Sequence, residues 1–137
     1  MKTLVRIVVA TGILAASGAA ARAQSGEPRY SSQYENCVKG AGGATFPMIV
    51  CINEEHKRWD AELNQQYRAI RGKLQDARRN GFDAAQIAWV SYRDANCAFY
   101  NNPDGGTLAR LEANSCMLEM TARRVLELRS IRESSDR

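Results

Sequence analysis

The stretch WDAELNQQYRAIRGKL, residues 59–74, decides the fold of this chain. Its large apolar and aromatic side chains recur at steps of four, four, three and four residues: Trp59, Leu63, Tyr67, Ile70 and Leu74. A helix turns about once every 3.6 residues, so this spacing lines them along one helical face. Charged and amide residues occupy the other faces, which is typical of an amphipathic helix packed against a core.

The helix that contains this stretch is predicted to run from about residue 47 to residue 79. Pro47 suits a first helical turn, and Asn80-Gly81 suits a helix end. A helix of that length is longer than a small domain needs. A bend or a break near Gly72 is therefore an alternative to one continuous helix.

Three further helices are predicted around it. A short one over residues 31–39 is capped by Ser31 or Ser32, the third is capped by Asp83, and the last is capped by Thr107. The inner face of the third helix is expected to hold Ile87, Ala88, Trp89, Tyr92 and Cys97. That of the last helix is expected to hold Leu108, Leu111, Leu118, Ala122, Val125 and Leu128. No segment alternates like a strand, so the predicted fold is all-α, a small bundle of three main helices plus a short N-terminal one.

The first 23 residues have the pattern of a secretory signal peptide. Lys2 and Arg6 precede an apolar run over residues 7–20, and Ala21-Arg22-Ala23 fits the small-x-small site of signal peptidase. We therefore expect a mature protein that begins at Gln24 and is periplasmic or secreted. The apolar run is short for a membrane span, and no Cys follows the cut, so no membrane anchor is expected after cleavage.

The mature part is expected to be one domain. We divide it into a flexible arm over 24–30, a helical domain over 31–132 and a polar tail over 133–137. The whole chain has 19 basic and 15 acidic residues. The leader holds three of the basic residues and no acid, which leaves a mature net charge of only +1. Nucleic acid is therefore not an expected partner.

Four cysteines, Cys37, Cys51, Cys97 and Cys116, are predicted to form two disulfides. An even number of cysteines in a small exported chain favours disulfides, and a zinc site would need close pairs such as C-x-x-C, which the chain lacks. Three pairings are open from sequence alone. We predict the local one, Cys37–Cys51 and Cys97–Cys116, in which each bond joins neighbouring helices across one short connection.

Catalytic and metal-binding patterns are missing from the sequence. His56 is the only histidine, and it is interpreted as a solvated surface residue, as are the neighbouring carboxylates Glu54 and Glu55. We therefore expect no enzymatic activity, no cofactor and no metal site.

Two other groups of residues each have a functional and a structural interpretation. The aromatic residues Trp59, Tyr67, Trp89 and Tyr92 could form a ligand-binding box, but their helical spacing favours core packing. Arg93-Asp94 and Arg124 fall near apolar faces. They could form a half-buried ion-pair network or face a partner, and we favour the network.

Three ordered motifs resemble the LprI-type lysozyme inhibitor family from about Cys37 to Leu128. They are L-N-x-x-Y at 63–67, Q-x-x-W-x-x-Y-R-D-x-x-C at 86–97 and C-x-x-x-x-T-x-x-R at 116–124. The resemblance implies an exported helical domain with four cysteines that binds and inhibits lysozyme. The motif residues, interpreted as mostly structural, are Trp59, Leu63, Asn64, Tyr67, Gln86, Trp89, Arg93, Asp94, Thr121 and Arg124.

Two functions are compatible with this resemblance. As an inhibitor, the protein would insert an exposed element into the lysozyme cleft, and the candidate residues are Asn101, Asn102, Asp104 and Gly105 in the loop before the last helix. As a non-enzymatic envelope module, it would dock on another periplasmic protein through a helix face. A large apolar patch left uncovered by the core would favour the second function.

Overall fold

Four helices make up the computed structural model, which describes residues 26–135. They are α1 (Ser32–Gly40), α2 (Thr45–Arg71), α3 (Asp76–Tyr100) and α4 (Gly106–Ser135), with a single 3₁₀ turn at Pro103–Gly105. No strand occurs in this part of the chain, so the all-α prediction is confirmed. The predicted leader and its cleavage site lie outside the described residues.

The core lies mainly between α2 and α4, which pack along each other. The helical stripe of residues 59–70 forms half of it, as its spacing predicts. The buried core residues are Ile52, Trp59, Leu63, Ile70, Leu118, Ala122, Val125 and Leu128. Helix α3 packs chiefly on α4 and contacts α2 little, so α4 is the central helix.

The predicted end of the long helix was wrong by about two turns. Helix α2 ends at Arg71 with Gly72 as its cap, and α3 begins at Asp76 rather than at Asp83. The Arg79 guanidinium donates to the carbonyl of Leu74 at 2.8 Å, which helps to hold the connection. The break near Gly72 is therefore the real helix boundary, and Asn80-Gly81 lies within α3.

The predicted inner face of α3 was also wrong in part. Tyr92 is 61% exposed and Ile87 is 71% exposed, whereas Gln86 and Arg93 are buried. Ala88 is exposed as well, and only Cys97 of the predicted set is fully buried, with Trp89 half-buried. Because apolar residues surround most of this helix, their spacing alone did not identify the face that points inward.

The start of the last helix needs a smaller correction. Helix α4 begins at Gly106. Thr107 therefore lies within its first turn and is not its N-terminal cap. Leu108 is 58% exposed, and Ala109 takes the buried position instead. The helix continues to Ser135, so the first residues of the predicted polar tail are helical.

Two disulfides join the predicted pairs, so the local pairing is confirmed. Cys37–Cys51 links α1 to α2 with a Cα–Cα distance of 5.7 Å, and Cys97–Cys116 links α3 to α4 at 5.5 Å. Each bond closes a loop of modest length and removes conformational freedom from the unfolded chain.

Glu55 anchors the N-terminal segment, and its interpretation as a surface residue was wrong. The side chain is 2% exposed and accepts hydrogen bonds from Ser31 N at 2.8 Å, Ser31 Oγ at 2.6 Å and Trp59 Nε1 at 3.0 Å. Arg58 also pairs with it, at 2.7 Å. Ser31 at the same time caps α1, as predicted, by accepting from Tyr34 N. One buried carboxylate therefore ties the start of α1 to α2.

Tyr30, the last residue of the predicted flexible arm, packs beside this anchor. Its ring lies 5.1 Å from that of Tyr34 and 6.3 Å from that of Trp59, both in edge-to-face geometry. Glu27 also forms an ion pair with Arg123 at 3.5 Å. The described part of the arm is thus in contact with the domain.

Gly81→Ala is expected to raise the free energy of unfolding by about 0.5–1 kcal/mol, because alanine is the better residue inside a helix. A Cβ at Gly81 meets nothing within 4 Å. Urea denaturation measures the effect. Gly105→Ala is the opposing control, since its Cβ would lie 2.7 Å from that of Ala109 and should cost about 1–2 kcal/mol. A loss of stability in Gly81→Ala would contradict the helical assignment at that position.

Candidate functional site

A layer of polar and aromatic side chains brings together motif residues from α3 and α4. At its centre is Trp89, whose ring lies 5.2 Å from the guanidinium carbon of Arg93 and 5.6 Å from that of Arg124. Both side chains are only 10% exposed. Two largely desolvated cations thus lie over one indole, an arrangement that is favourable because the ring face is electron-rich.

Each guanidinium in this layer also has polar partners. Arg93 donates to Thr121 Oγ1 at 3.2 Å and pairs with Asp94 at 2.8 Å, with Asp60 further away at 3.9 Å. Arg124 donates to Gln86 Oε1 at 3.2 Å and pairs with Glu127 at 2.7 Å. The motif residues Gln86, Trp89, Arg93, Asp94, Thr121 and Arg124 therefore form one connected network. Such a network fixes how α3 sits on α4, because a displaced helix would leave a buried cation without its partners.

His56 belongs to the same layer, and its interpretation as a solvated surface residue was wrong. Its Nε2 lies 3.1 Å from Thr121 Oγ1, so Thr121 joins the histidine of α2 to Arg93 of α3. Burial lowers the pKa of His56, and the nearby Arg93 cation lowers it further. The sequence did contain a signal, since His56 falls four residues after Ile52 and three before Trp59, on the buried face of α2.

The remaining motif residues lie along α2 and serve other contacts. Leu63 is in the core, and Asn64 is exposed with its amide donating to the backbone carbonyl of Asp60 at 2.8 Å. Tyr67 donates to Asp83 at 2.6 Å and stacks on Phe82 at 5.3 Å. That hydrogen bond raises the pKa of Tyr67, while the bonds from Arg71 and Tyr67 lower the pKa of Asp83.

The four aromatic residues considered as a ligand box do not form a common site. Trp59 is buried against the core, with Arg129 over its ring at 5.8 Å, and Tyr92 points away from the bundle. An open groove of about 460 Å³ does run between α2 and α3. Polar and apolar side chains share its lining, which includes Leu63, Ile87 and Val90 as well as Asp60, Asn64, Tyr67, Asp83, Gln86 and Arg93.

The predicted binding loop is exposed and sharply constrained. Asn101, Asn102, Asp104 and Gly105 are all solvent-accessible. The side chain of Asn102 accepts from Asp104 N at 3.0 Å, and Gly106 follows with a φ of 59°, a conformation that favours glycine. The disulfide Cys97–Cys116 joins the helices on either side of the loop. These four residues, hereafter the α3–α4 loop, form a short protrusion on a cross-linked base.

No metal site is evident in residues 26–135, where no three His, Cys, Asp or Glu side chains are grouped to hold an ion. The helices described in the same range are also too polar or too short to cross a bilayer. In the polar layer, the cations, the amide and the imidazole all have partners within the layer. Around this layer, the surfaces that could contact a partner are the loop, the groove and the exposed helix faces.

Comparison with known proteins agrees with this architecture. The model of the family described as "Lysozyme inhibitor LprI" matches residues 37–128, which is more than half of the chain. The matched segment begins at the first cysteine and extends to the last core leucine of α4. It therefore includes both disulfides, the core, the polar layer and the α3–α4 loop.

A curated relative extends the similarity beyond that segment. The chain is 28% identical to an uncharacterized protein, R02472, of Rhizobium meliloti (strain 1021), with 93% of this chain and 95% of the relative covered. No solved structure matches the chain. By the match over residues 37–128, this protein belongs to the LprI family of lysozyme inhibitors.

Proposed function

We propose that this protein is exported and that it binds and inhibits lysozyme, without catalytic activity of its own. The observation that carries the proposal is the family match over residues 37–128. Two disulfides within the matched segment support export, because such bonds persist in oxidising compartments. The partner is then a wall-degrading enzyme that the protein would meet outside the cytoplasm.

The α3–α4 loop is the proposed inhibitory element. It is exposed, and its backbone is held by the hydrogen bond from Asp104 N to the Asn102 side chain and by the 3₁₀ turn at Pro103–Gly105. A loop held in one conformation loses little entropy when it docks, which favours tight binding. Its amide and carboxylate groups at Asn101, Asn102 and Asp104 are suited to a cleft that recognises a polar polysaccharide. We infer that the loop occupies the cleft and excludes peptidoglycan.

The inhibition assay is the loss of turbidity of a cell-wall suspension by lysozyme, titrated with the oxidised protein from an exporting host. We expect stoichiometric slowing of lysis, no lysis by the protein alone, and an intact mass that begins at Gln24. Reduction of the disulfides should weaken inhibition. Salt should have little effect, because the mature net charge of +1 offers little long-range steering.

Loop variants separate the inhibitory element from the scaffold. Asn101→Ala combined with Asp104→Ala should raise the inhibition constant by about a hundredfold, as expected for central interface residues, without lowering the melting temperature. Asn80→Ala, an exposed asparagine at the far end of α3, is the matched control and should inhibit normally. Full lysozyme activity at stoichiometric excess of the unmodified protein, with several lysozyme types, would refute the inhibitor function. Normal inhibition by the loop double variant would refute only the role of the loop.

A second candidate function is a non-enzymatic envelope module that binds another periplasmic protein. The exposed aromatic residues on α3 favour it, since Tyr92 and Phe99 are 61% and 82% exposed. Capture from an envelope extract, with and without added lysozyme, distinguishes the two functions. A captured protein that lysozyme does not displace, together with unchanged lysozyme activity, would support the module.

A further inference from the structure

One buried hydroxyl group connects the three long helices. Oγ1 of Thr121 on α4 lies 3.2 Å from Nη1 of Arg93 on α3 and 3.1 Å from Nε2 of His56 on α2. Thr121 is fully buried, and α3 has few other contacts with α2. His56, Arg93 and Thr121, hereafter the Thr121 junction, therefore form one of the few places at which α2, α3 and α4 are held together.

The chemistry of the three groups sets the direction of their hydrogen bonds. A guanidinium can only donate, so Thr121 Oγ1 is the acceptor for Arg93. The hydroxyl hydrogen of Thr121 is then available for a second acceptor, and Nε2 of His56 lies within its reach. A ring nitrogen accepts only when it carries no hydrogen. The junction therefore selects a neutral imidazole whose hydrogen is on Nδ1.

A proton on Nε2 of His56 would oppose this arrangement. Two cations would then donate to the same buried oxygen, and like charges placed together are unfavourable. The carboxylates that act on the ring are Asp60 on α2 and Asp94 on α3. Both are about half exposed, and both also pair with Arg93, at 3.9 Å and 2.8 Å. Helix α4 faces the ring with Thr121, which is neutral, so Arg93 is the charge that the junction holds closest.

We propose that the Thr121 junction is an acid-sensitive latch, in which a proton on His56 weakens the attachment of α3 to α2 and α4. The half-buried ring remains within reach of solvent protons. The groove and the α3–α4 loop both depend on the position of α3, so acid should loosen both. The proposal does not depend on lysozyme, and its tests contain none.

The direction of the pH effect follows from the folded and unfolded states. Burial and Arg93 lower the pKa of His56 in the fold below its ordinary value of 6.5. Above about pH 6.5 neither state carries the proton, and below it the unfolded chain takes up the proton first. The fold therefore loses stability as the pH falls from about 6.5 to the folded-state value.

NMR of the imidazole ring tests the junction in the full oxidised chain, because His56 is the only histidine. At neutral pH, long-range proton–nitrogen correlations should place the hydrogen on Nδ1. Thr121→Val removes the hydroxyl but keeps the branched shape, and it should raise the pKa of His56. Thr121→Ser keeps the hydroxyl and is the matched control. A hydrogen on Nε2 at neutral pH, or the same pKa in the two variants, would overturn the proposal.

Urea denaturation at about pH 7.5 and pH 5.5 tests the latch itself. The folding equilibrium constant of the unmodified protein should fall several-fold between them, within the limit of about tenfold per pH unit for one proton. His56→Gln retains an acceptor near the position of Nε2 but takes up no proton, so its constant should fall much less. The two proteins share every carboxylate, so other pH effects cancel in the comparison. Equal losses would overturn the proposal.

Amide hydrogen exchange locates the loosened part of the fold. After correction for the intrinsic exchange rates, the loss of protection at about pH 5.5 should be larger in α3 than in α1, which the junction does not touch. His56→Gln should show no such difference between the helices. A loss of protection in α3 that is no larger than in α1 would mean that the proton on His56 does not act on α3, and the proposal would fail.

Discussion

Replacing Glu55 with alanine should lower the free energy of unfolding by about 3 kcal/mol, because the buried carboxylate has several donors that nothing else can satisfy. Its loss leaves the backbone N–H of Ser31 and the indole N–H of Trp59 without their acceptor. The start of α1 would also detach from α2. Urea denaturation followed by circular dichroism at neutral pH measures the change.

Glu54→Ala is the matched control for this substitution. Glu54 is the adjacent residue on α2, its side chain is 56% exposed, and it pairs with Lys57, whose side chain is 71% exposed. We expect its removal to leave stability nearly unchanged, as for most exposed ion pairs. Similar losses for Glu54→Ala and Glu55→Ala would contradict the buried network.

The contribution of the Glu55 carboxylate to stability should depend on pH. Burial raises the pKa of Glu55, but the hydrogen bonds from Ser31, Arg58 and Trp59 more than offset this and leave it below the ordinary value of 4.5. A lowered folded-state pKa means that the stabilisation is complete above about pH 4.5 and is lost as pH falls through the folded value. The stability difference between the unmodified protein and Glu55→Ala should therefore shrink as the pH is lowered from 5 toward 2. A difference that does not vary over that range would mean that the charge of Glu55 is not what stabilises the fold.

Trp89→Ala is the second large effect, with an expected loss of about 3 kcal/mol in the free energy of unfolding. The substitution removes a half-buried indole and with it the cation–π contacts of Arg93 and Arg124. Thermal and urea denaturation measure the loss.

Tyr92→Ala provides the control, because this aromatic residue lies on the same helix but is 61% exposed. Its effect on unfolding should be below about 0.5 kcal/mol. An unchanged melting temperature in Trp89→Ala would mean that the indole faces solvent and is available for a ligand. A large loss in Tyr92→Ala would show that the orientation of α3 is wrong.

Local patterns in the sequence were sufficient for much of the fold. The step pattern from Trp59 to Ile70 predicted the buried face of α2, and Ser31 was one of the two residues predicted to cap α1. Short separations of 14 and 19 residues favoured the disulfide pairing that the structure has, one of three open from the sequence. The motifs indicated the family before any geometry was known. Each of these features is decided within a window of a few turns, where spacing and capping chemistry act directly.

The orientation of α3 could not be predicted in the same way. Apolar residues occur on nearly every side of this helix, so its period gives no single inner face. Only the packing on α4, and the donors and acceptors there, selected Gln86 and Arg93 for burial and left Tyr92 outside. The helix boundary at Gly72 was similarly ambiguous, because Asn80-Gly81 offered an equally plausible end.

Local sequence patterns thus indicated an all-helical chain with two disulfides, one amphipathic core helix and a resemblance to the LprI family. The burial of Glu55 and the half-burial of His56 depend instead on the tertiary structure. A carboxylate or an imidazole can be buried only where partners satisfy it, and here those partners are distant along the chain. Ser31 is 24 residues from Glu55, and Thr121 is 65 residues from His56. No local pattern reports such partners, because the folded chain alone brings them together.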